Sequence, residues 1–280
     1  MAREMGGPDE QAARADALVV VSRRGAVATV TLNRPDRHNA LTNELKTQLR
    51  DRLVEAASDV SVRAVVLTGA GRSFCVGQDL VEHADALRTE ALSAESHLLD
   101  TVEVHYNPIV RSLATMPKPV VAAINGSCFG AGLGFALACD LRVAGSGARF
   151  GTAFTAIGLT CDSGLSATLT RAVGSARASE LVLGGEAWDA DQAAAWGLVG
   201  RVVGPDDFDA EVAALADRLA AGPTLAYAEA KAALHNSWQP SLDEVLAAEA
   251  VAQARLGRSE DHRGAVTAFV AKTRPTFSGR

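Results

Sequence analysis

Two glycine-rich turns carry the residues best suited to chemistry. The first runs Thr68-Gly69-Ala70-Gly71-Arg72-Ser73-Phe74-Cys75-Val76-Gly77-Gln78-Asp79-Leu80, and the second Asn125-Gly126-Ser127-Cys128-Phe129-Gly130-Ala131-Gly132-Leu133-Gly134. Glycine lets a backbone turn sharply and lets a ligand approach main-chain N–H groups closely. The start of a helix adds unpaired N–H donors and a positive dipole end. Two such N–H groups from separate turns can grip one carbonyl oxygen and stabilise an oxyanion as it forms. The alternative is that the glycines only allow tight strand–helix packing. Nucleotide binding fits poorly. Phe74 stands where a dinucleotide fingerprint needs its third glycine, Gly130-x-Gly132-x-Gly134 has the wrong spacing, and neither turn ends in Gly-Lys-Ser/Thr.

Other chemistries find little support. The six histidines show no HExxH spacing, and Cys75, Cys128, Cys139 and Cys161 form no CxxC pair, so no metal is implied. Ser163 and Ser166 lack an obvious His partner for nucleophilic catalysis. His38, His83, His97 and His105 lie in polar or helical contexts, and a solvated face is expected for His105. Asp162 precedes Ser163-Gly164 and a helical run. By residue type alone it reads first as an N-cap, held as the anion.

The elements that must position these turns follow from periodicity. Residues 18–23 and 26–32 are β-rich and join around Gly25 as a hairpin. Leu41, Leu45, Leu49 and Leu53 form one apolar helical stripe, with Thr42 as N-cap and Glu44 in the first turn. Buried-type strands at 63–68 and 118–124 lead into the two glycine turns, with a helix expected over about 97–115 and a third strand pair at 141–144 and 148–150. Strands alternating with helices imply an α/β fold with a mostly parallel sheet. From Asp162 onward the strand signal fades and helices are expected near 163–172, 175–183, 189–195, 206–221, 224–236, 242–255 and 259–271. The organisation expected is a disordered tail over 1–17, a core over 18–200 and a helical region over 201–280.

Composition bounds the rest. The chain has 280 residues, 27 Lys+Arg against 33 Asp+Glu and a net charge of −6. That balance argues against nucleic-acid binding. No apolar run reaches the ~18 residues of a membrane span, and the polar start lacks the apolar segment of a signal peptide. Reduced cysteines in a cytoplasm are expected.

In order, the motifs resemble the crotonase superfamily, which contains the enoyl-CoA hydratases and isomerases. The landmarks are Thr31-Leu32-Asn33-Arg34-Pro35 with Asn39-Ala40-Leu41, Phe74 to Leu80, Pro117 to Gly126, Gly130 to Gly134, Cys139-Asp140, and Ala193 with Trp196-Gly197-Leu198-Val199. The resemblance covers residues from about 18 to the C-terminus and implies the crotonase fold: parallel strands in a ββα-type spiral, closed by helices. Within the superfamily the pattern is similar to isomerases that act on the ring 1,2-epoxide of phenylacetyl-CoA. Tyr106-Asn107-Pro108 and the ending Phe277-Ser278-Gly279-Arg280 belong to that pattern.

The resemblance also implies site roles. Acyl-CoA thioesters would be the substrates, with coenzyme A part of the substrate and no separate cofactor. The N–H groups of Gln78 and Ala131 would form the oxyanion hole. Val76, Gly77, Asp79, Leu80 and Gly130 would build its turns, with Asp79 holding the first through backbone hydrogen bonds. Phe129 and Phe154 would shape an apolar acyl pocket. Arg34, Arg37, His38, Ala40 and Lys272 would meet coenzyme A, Lys272 from a neighbouring subunit. Family members are usually trimers or dimers of trimers, a role the region 201–280 would serve. The two glutamates of the hydratases fall at Gly134 and Phe154, which cannot transfer protons. Asp162 matches the proton-transfer residue of some isomerases, so isomerisation is expected. The alternatives are hydration, dehalogenation or thioester hydrolysis with Asp162 as nucleophile, and an acyl-CoA-binding protein without turnover.

Overall fold

A hairpin opens the chain. Strands β1 (Val19–Arg24) and β2 (Val27–Leu32) pair antiparallel around Gly25, whose φ of +56° closes the tight turn. The computed structural model describes residues 17–90 and 100–280. Residues 1–16 of the tail expected over 1–17, His97 and the start of the helix expected from 97 lie outside the described residues.

The hairpin begins a six-stranded sheet in the order β1-β2-β3-β5-β7-β10, where β3 is Ala64–Gly69, β5 Val120–Ile124, β7 Leu141–Gly145 and β10 Arg201–Val203. Every pairing after the hairpin is parallel. Alternation along the strands feeds two cores. Val65 and Leu67 face one side of β3 with Val120, Ala122 and Ile124 of β5, while Ala64 and Val66 face the other with Val121 and Ala123. Covered on both faces, such strands read as unbroken apolar runs.

A smaller sheet, in the order β4-β6-β8-β9, lies after the turns. It holds β4 (Ser73–Cys75), β6 (Ser127–Phe129), β8 (Arg149–Gly151) and β9 (Trp188–Asp189). Three times the chain leaves the large sheet, turns and enters the small one: β3 to β4, β5 to β6, β7 to β8. The strands expected as a pair at 141–144 and 148–150 therefore belong to different sheets. β9 and β10 were not expected. Two and three residues are too few to show periodicity.

Helix α1 (Asn43–Ser58) is capped as expected, the Thr42 hydroxyl accepting from the Leu45 N–H at 3.2 Å. Leu41, Leu45, Leu49 and Leu53 are fully buried, each contributing ~1.5–3 kcal/mol of apolar burial. Helix α2 (Leu80–Glu90) follows the first glycine turn. One π-helical turn (Val102–Tyr106) leads into α3 (Asn107–Thr115). Helix α4 (Ala131–Ala138) starts at the second glycine turn and is buried at every residue.

The later helices follow expectation with one merger. α5 spans Leu165–Gly184 but bends at Gly174, where φ is +77° and ψ 162°, so two expected helices are one bent element. α6 is Ala190–Ala195, α7 Phe208–Ala220, α8 Thr224–Asn236, α9 Leu242–Leu256 and α10 Glu260–Val270. β10 joins the large sheet, and Phe208, Leu215, Ala216 and Ala220 of α7 cover one face of it. Core packing thus runs to about residue 220. No helix among the described residues is long and apolar enough to cross a membrane.

Candidate active site

The two glycine turns meet. A β-carbon on Gly77 would lie 3.4 Å from the Ala131 nitrogen and 3.3 Å from the Phe129 carbonyl oxygen. Gly77 has φ +86°, and Gly130 has φ +55° with ψ −127°, a region that L side chains scarcely enter. These two glycines let the strand ends swing into helix starts while their backbones touch.

The contact brings two N–H groups to one hollow. Leu41 forms a parallel bridge with Gln78: its N–H donates to the Gly77 carbonyl at 2.8 Å, and its carbonyl accepts from the Asp79 N–H at 3.1 Å. That pattern leaves the Gln78 N–H on the opposite edge of the segment. The Ala131 N–H opens α4, where no preceding turn can accept it. Among the described residues neither N–H has a protein acceptor. Two donors of this kind can hold one carbonyl oxygen.

The hollow has a volume of about 100 Å³ and is lined by Val76, Gly77, Gln78, Leu80, Gly130, Ala131, Thr152, Phe154, Leu159 and Asp162, with His83, Thr101 and Tyr106 at one side. Phe154 supplies an apolar wall. Phe129 does not. Its ring lies over Gly151, where a β-carbon would come within 2.6 Å of it, and it contributes main chain rather than pocket wall.

Among the described residues, Asp162 is the carboxylate that lines this hollow. It does not cap α5. Ser163 (φ +52°) and Gly164 (φ +69°) are both left-handed, and Gly164 occupies the N-cap without a side-chain bond. The Asp162 main-chain carbonyl accepts from the Leu165 N–H at 2.9 Å, while its carboxylate accepts from the Ser163 hydroxyl at 2.8 Å. Burial pushes the carboxyl pKa up, opposed by the Ser163 hydrogen bond and the charge of Lys46. The cap reading had implied a lowered pKa, so both parts of it are corrected.

Gly134 and Phe154, the two positions expected to match the hydratase glutamates, carry no carboxylate. A β-carbon at Gly134 would fall 2.5 Å from the Ser163 β-carbon and 2.9 Å from the Ser163 carbonyl oxygen. Phe154 is buried among apolar residues.

Asp79 holds the first turn. One carboxylate oxygen accepts from the Val81 and Glu82 N–H groups at 2.9 and 3.1 Å, and the other pairs with the Arg34 guanidinium. Burial raises its pKa, but the Arg34 hydrogen bond and the two N–H groups outweigh it and hold the carboxyl below its usual value. Arg34 also donates to the Ala40 carbonyl at 3.1 Å. It is therefore a brace of the turn rather than a free cation. Arg37 is exposed at the end of the 3-10 turn Pro35–Arg37. The His38 ring contacts the Ser73 hydroxyl at 2.8 Å and Arg72 at 3.2 Å. Lys272 follows α10 and lines neither this hollow nor the one beside it.

Sequence reasoning missed a polar wall next to the donors. Lys46 is fully buried. Its ammonium donates to Gln78 Oε1 at 3.0 Å and to the Thr101 hydroxyl at 2.6 Å, and lies 5.1 Å from the Tyr106 ring centroid. Burial pulls its pKa down to about 8, and the negative charges of Glu82 and Asp162 oppose the fall. The Tyr106 hydroxyl also donates to Gln78 Oε1. His105 is half-buried rather than solvated. Its ring contacts Thr47 at 3.2 Å and Thr101 at 3.1 Å, beside a second hollow shared by Lys46, Gln78, Glu82 and His83. Burial, then Lys46 and Arg50, lower its pKa. Lys46 extends the apolar row of Leu49, Leu53 and Ala56 on α1, and that position was the one available signal.

The chain is similar to known proteins over most of its length. The profile described as enoyl-CoA hydratase/isomerase matches residues 22–280. A 1,2-epoxyphenylacetyl-CoA isomerase of Escherichia coli (strain K12) is 40% identical over 254 residues, covering 91% of this chain and 95% of that protein. A 2,3-dehydroadipyl-CoA hydratase of the same strain is 39% identical over 263 residues, covering 94% and 99%. A crystal structure from Mycobacterium abscessus, assigned to the enoyl-CoA hydratase/isomerases, superposes with a TM-score of 0.88 at 49% identity, covering 94% and 100%. By profile, identity and architecture alike, the chain belongs to the enoyl-CoA hydratase/isomerase family, on the crotonase fold.

Proposed function

We propose that the protein is an acyl-CoA isomerase that moves a proton rather than adding water. The observation that carries this reading is that Asp162 is the one carboxylate among the described residues lining the hollow, while the positions matching the hydratase glutamates are Gly134 and Phe154. The thioester oxygen sits between the Gln78 and Ala131 N–H groups. Their hydrogen bonds strengthen as the oxygen gains charge, which acidifies the α-carbon. Asp162 takes the α-proton and returns it to the γ-carbon, so a 3-enoyl thioester becomes the conjugated 2-enoyl thioester. Composition is conserved, and no cofactor beyond the substrate's own coenzyme A is needed. A raised pKa suits a base that must hold and then release a proton.

The likeness to a 1,2-epoxyphenylacetyl-CoA isomerase supports an aryl substrate, whose ring would rest on Phe154 and Leu159, with epoxide opening coupled to the same enolate. Arg72 and Arg37 offer cationic contacts to the coenzyme A phosphates, with the His38 ring beside Arg72. We further propose a cytoplasmic homotrimer or dimer of trimers. Leu234, Val251, Phe269 and Val270 on α8 to α10 are more than 60% exposed and would be covered in such an assembly.

The likeness to a 2,3-dehydroadipyl-CoA hydratase favours hydration as the second reading. Product analysis separates the two. Conversion of a 3-enoyl-CoA to the 2-enoyl form, with no 3-hydroxyacyl-CoA from either, supports isomerisation. Accumulation of 3-hydroxyacyl-CoA from the 2-enoyl form supports hydration and sinks the first reading.

A further inference from the structure

Lys46 is a cation with no exposed surface, set in a helix face otherwise made of leucine and alanine. Burying an ammonium is costly unless its N–H groups find partners. No carboxylate among the described residues lies within ion-pair distance of it; Glu82 and Asp162 act on it only through space. Its nearest acceptors are instead Thr101 and the side-chain carbonyl of Gln78. A leucine here would continue the apolar row at no electrostatic cost, so the lysine needs another explanation.

Gln78 supplies one. Its side-chain carbonyl is gripped from two sides, by the Lys46 ammonium and by the Tyr106 hydroxyl. Its main chain is flanked by the two hydrogen bonds of Leu41. The residue that presents the first of the two free N–H groups is thus held at both ends. The Ala131 N–H is oriented by its helix and needs no such brace. The Gln78 N–H lies in a turn and does.

We propose that Lys46 is a positioning residue for the reaction: through the Gln78 side chain it fixes the direction of the Gln78 N–H, and its charge favours the enolate oxygen that this N–H receives. The inference rests on the reading of Gln78 as an oxyanion donor. A charge-assisted hydrogen bond is shorter and stronger than a neutral one. A donor misplaced by about 1 Å costs up to ~100-fold in rate. Lys46 contacts no reacting atom in this scheme, so its loss should act on kcat more than on KM.

The test measures the carbonyl directly. A saturated acyl-CoA labelled with carbon-13 at the thioester carbonyl is bound to the full-length protein, and its C=O stretch is read by infrared difference spectroscopy. In the wild type the band moves to lower frequency. In Lys46→Met, at least half of that shift should vanish. The kcat for 3-enoyl-CoA should fall ~10- to 100-fold with KM within ~3-fold. Lys46→Arg, which keeps the cation, should recover more of both than Lys46→Met. Gln78→Leu removes the same grip from its other end, stands in for Lys46→Met if that variant does not fold, and should reproduce the loss. A wild-type band shift in folded Lys46→Met or in Gln78→Leu overturns the proposal. No band shift in the wild type overturns it together with the oxyanion reading. A wild-type shift that Lys46→Met loses, without isomerisation of any substrate, upholds the positioning role and rejects the assigned reaction.

Discussion

Gly134 and Ser163 are packed so closely that a β-carbon on the glycine would lie 2.5 Å from the β-carbon of the serine. The loop that carries Asp162 therefore occupies the space a glutamate would need. Under the proposed function, the missing carboxylate at Gly134 and the placement of Asp162 are two sides of one packing contact.

Restoring the missing carboxylate should fail. Gly134→Glu would force Ser163 and its left-handed backbone aside, and overpacking of this kind costs ~1–3 kcal/mol or more. Thermal unfolding should show the loss, and hydration of a 2-enoyl-CoA should not appear. Efficient hydration by this single variant would mean that the Asp162 loop can move away.

Gly130 should tolerate no side chain. Its φ of +55° with ψ −127° is open to glycine alone, and holding alanine there costs ~1–3 kcal/mol. Relaxation of that strain would turn the Ala131 N–H. Gly130→Ala should therefore lose activity ~100-fold or more, the penalty of one oxyanion donor, with a lowered melting temperature. Gly147 provides the contrast, because an added β-carbon meets nothing within 4 Å there, and Gly147→Ala should keep its activity.

Asp162 should weaken the fold near neutral pH. Its folded pKa is raised above 3.8 by burial, so its favourable contribution is complete below 3.8 and is lost as pH rises through the folded value. Denaturant titrations should show Asp162→Asn gaining on the wild type between pH 3.5 and pH 7. The acid limb of the wild-type rate profile should lie above the pKa of an ordinary aspartate.

Lys46 has the opposite protonation but a similar cost. Its pKa falls from 10.5 to about 8 in the folded protein. Stability tied to this shift is present above 10.5 and is lost as pH falls through about 8. Lys46→Met should compare best with the wild type at pH 7 and lose ground as pH rises toward 10. A stability difference that stays flat over that range would contradict the desolvation of this ammonium.

Much of this was legible in the chain, for physical reasons that also explain the failures. The Leu41 to Leu53 stripe, the Thr42 cap and the Gly25 hairpin are local patterns, so they can be read locally. β9 and β10 are short and exist because β8 and β7 offer edges to pair with, which no local window reveals. The pairing of Arg34 with Asp79 could not be read locally, because the two lie 45 residues apart. Asp162 looked like a cap because Asp-Ser-Gly before a helix usually is one; two consecutive left-handed residues turn its carboxylate into the hollow instead. Lys46 was missed because a lone lysine beside a leucine stripe gives no local sign of its partners. Only the fold brings Gln78 and Thr101 to its ammonium.

The central claim is that Asp162 moves a substrate proton. It is tested most directly by comparing the wild type with Asp162→Asn on a 3-enoyl-CoA, following 2-enoyl-CoA formation and acyl-CoA affinity together. The account predicts a loss of ~100- to 10,000-fold in kcat, the range for a general acid–base group, with the dissociation constant unchanged within ~3-fold. Undiminished turnover by a variant that binds acyl-CoA normally would contradict it.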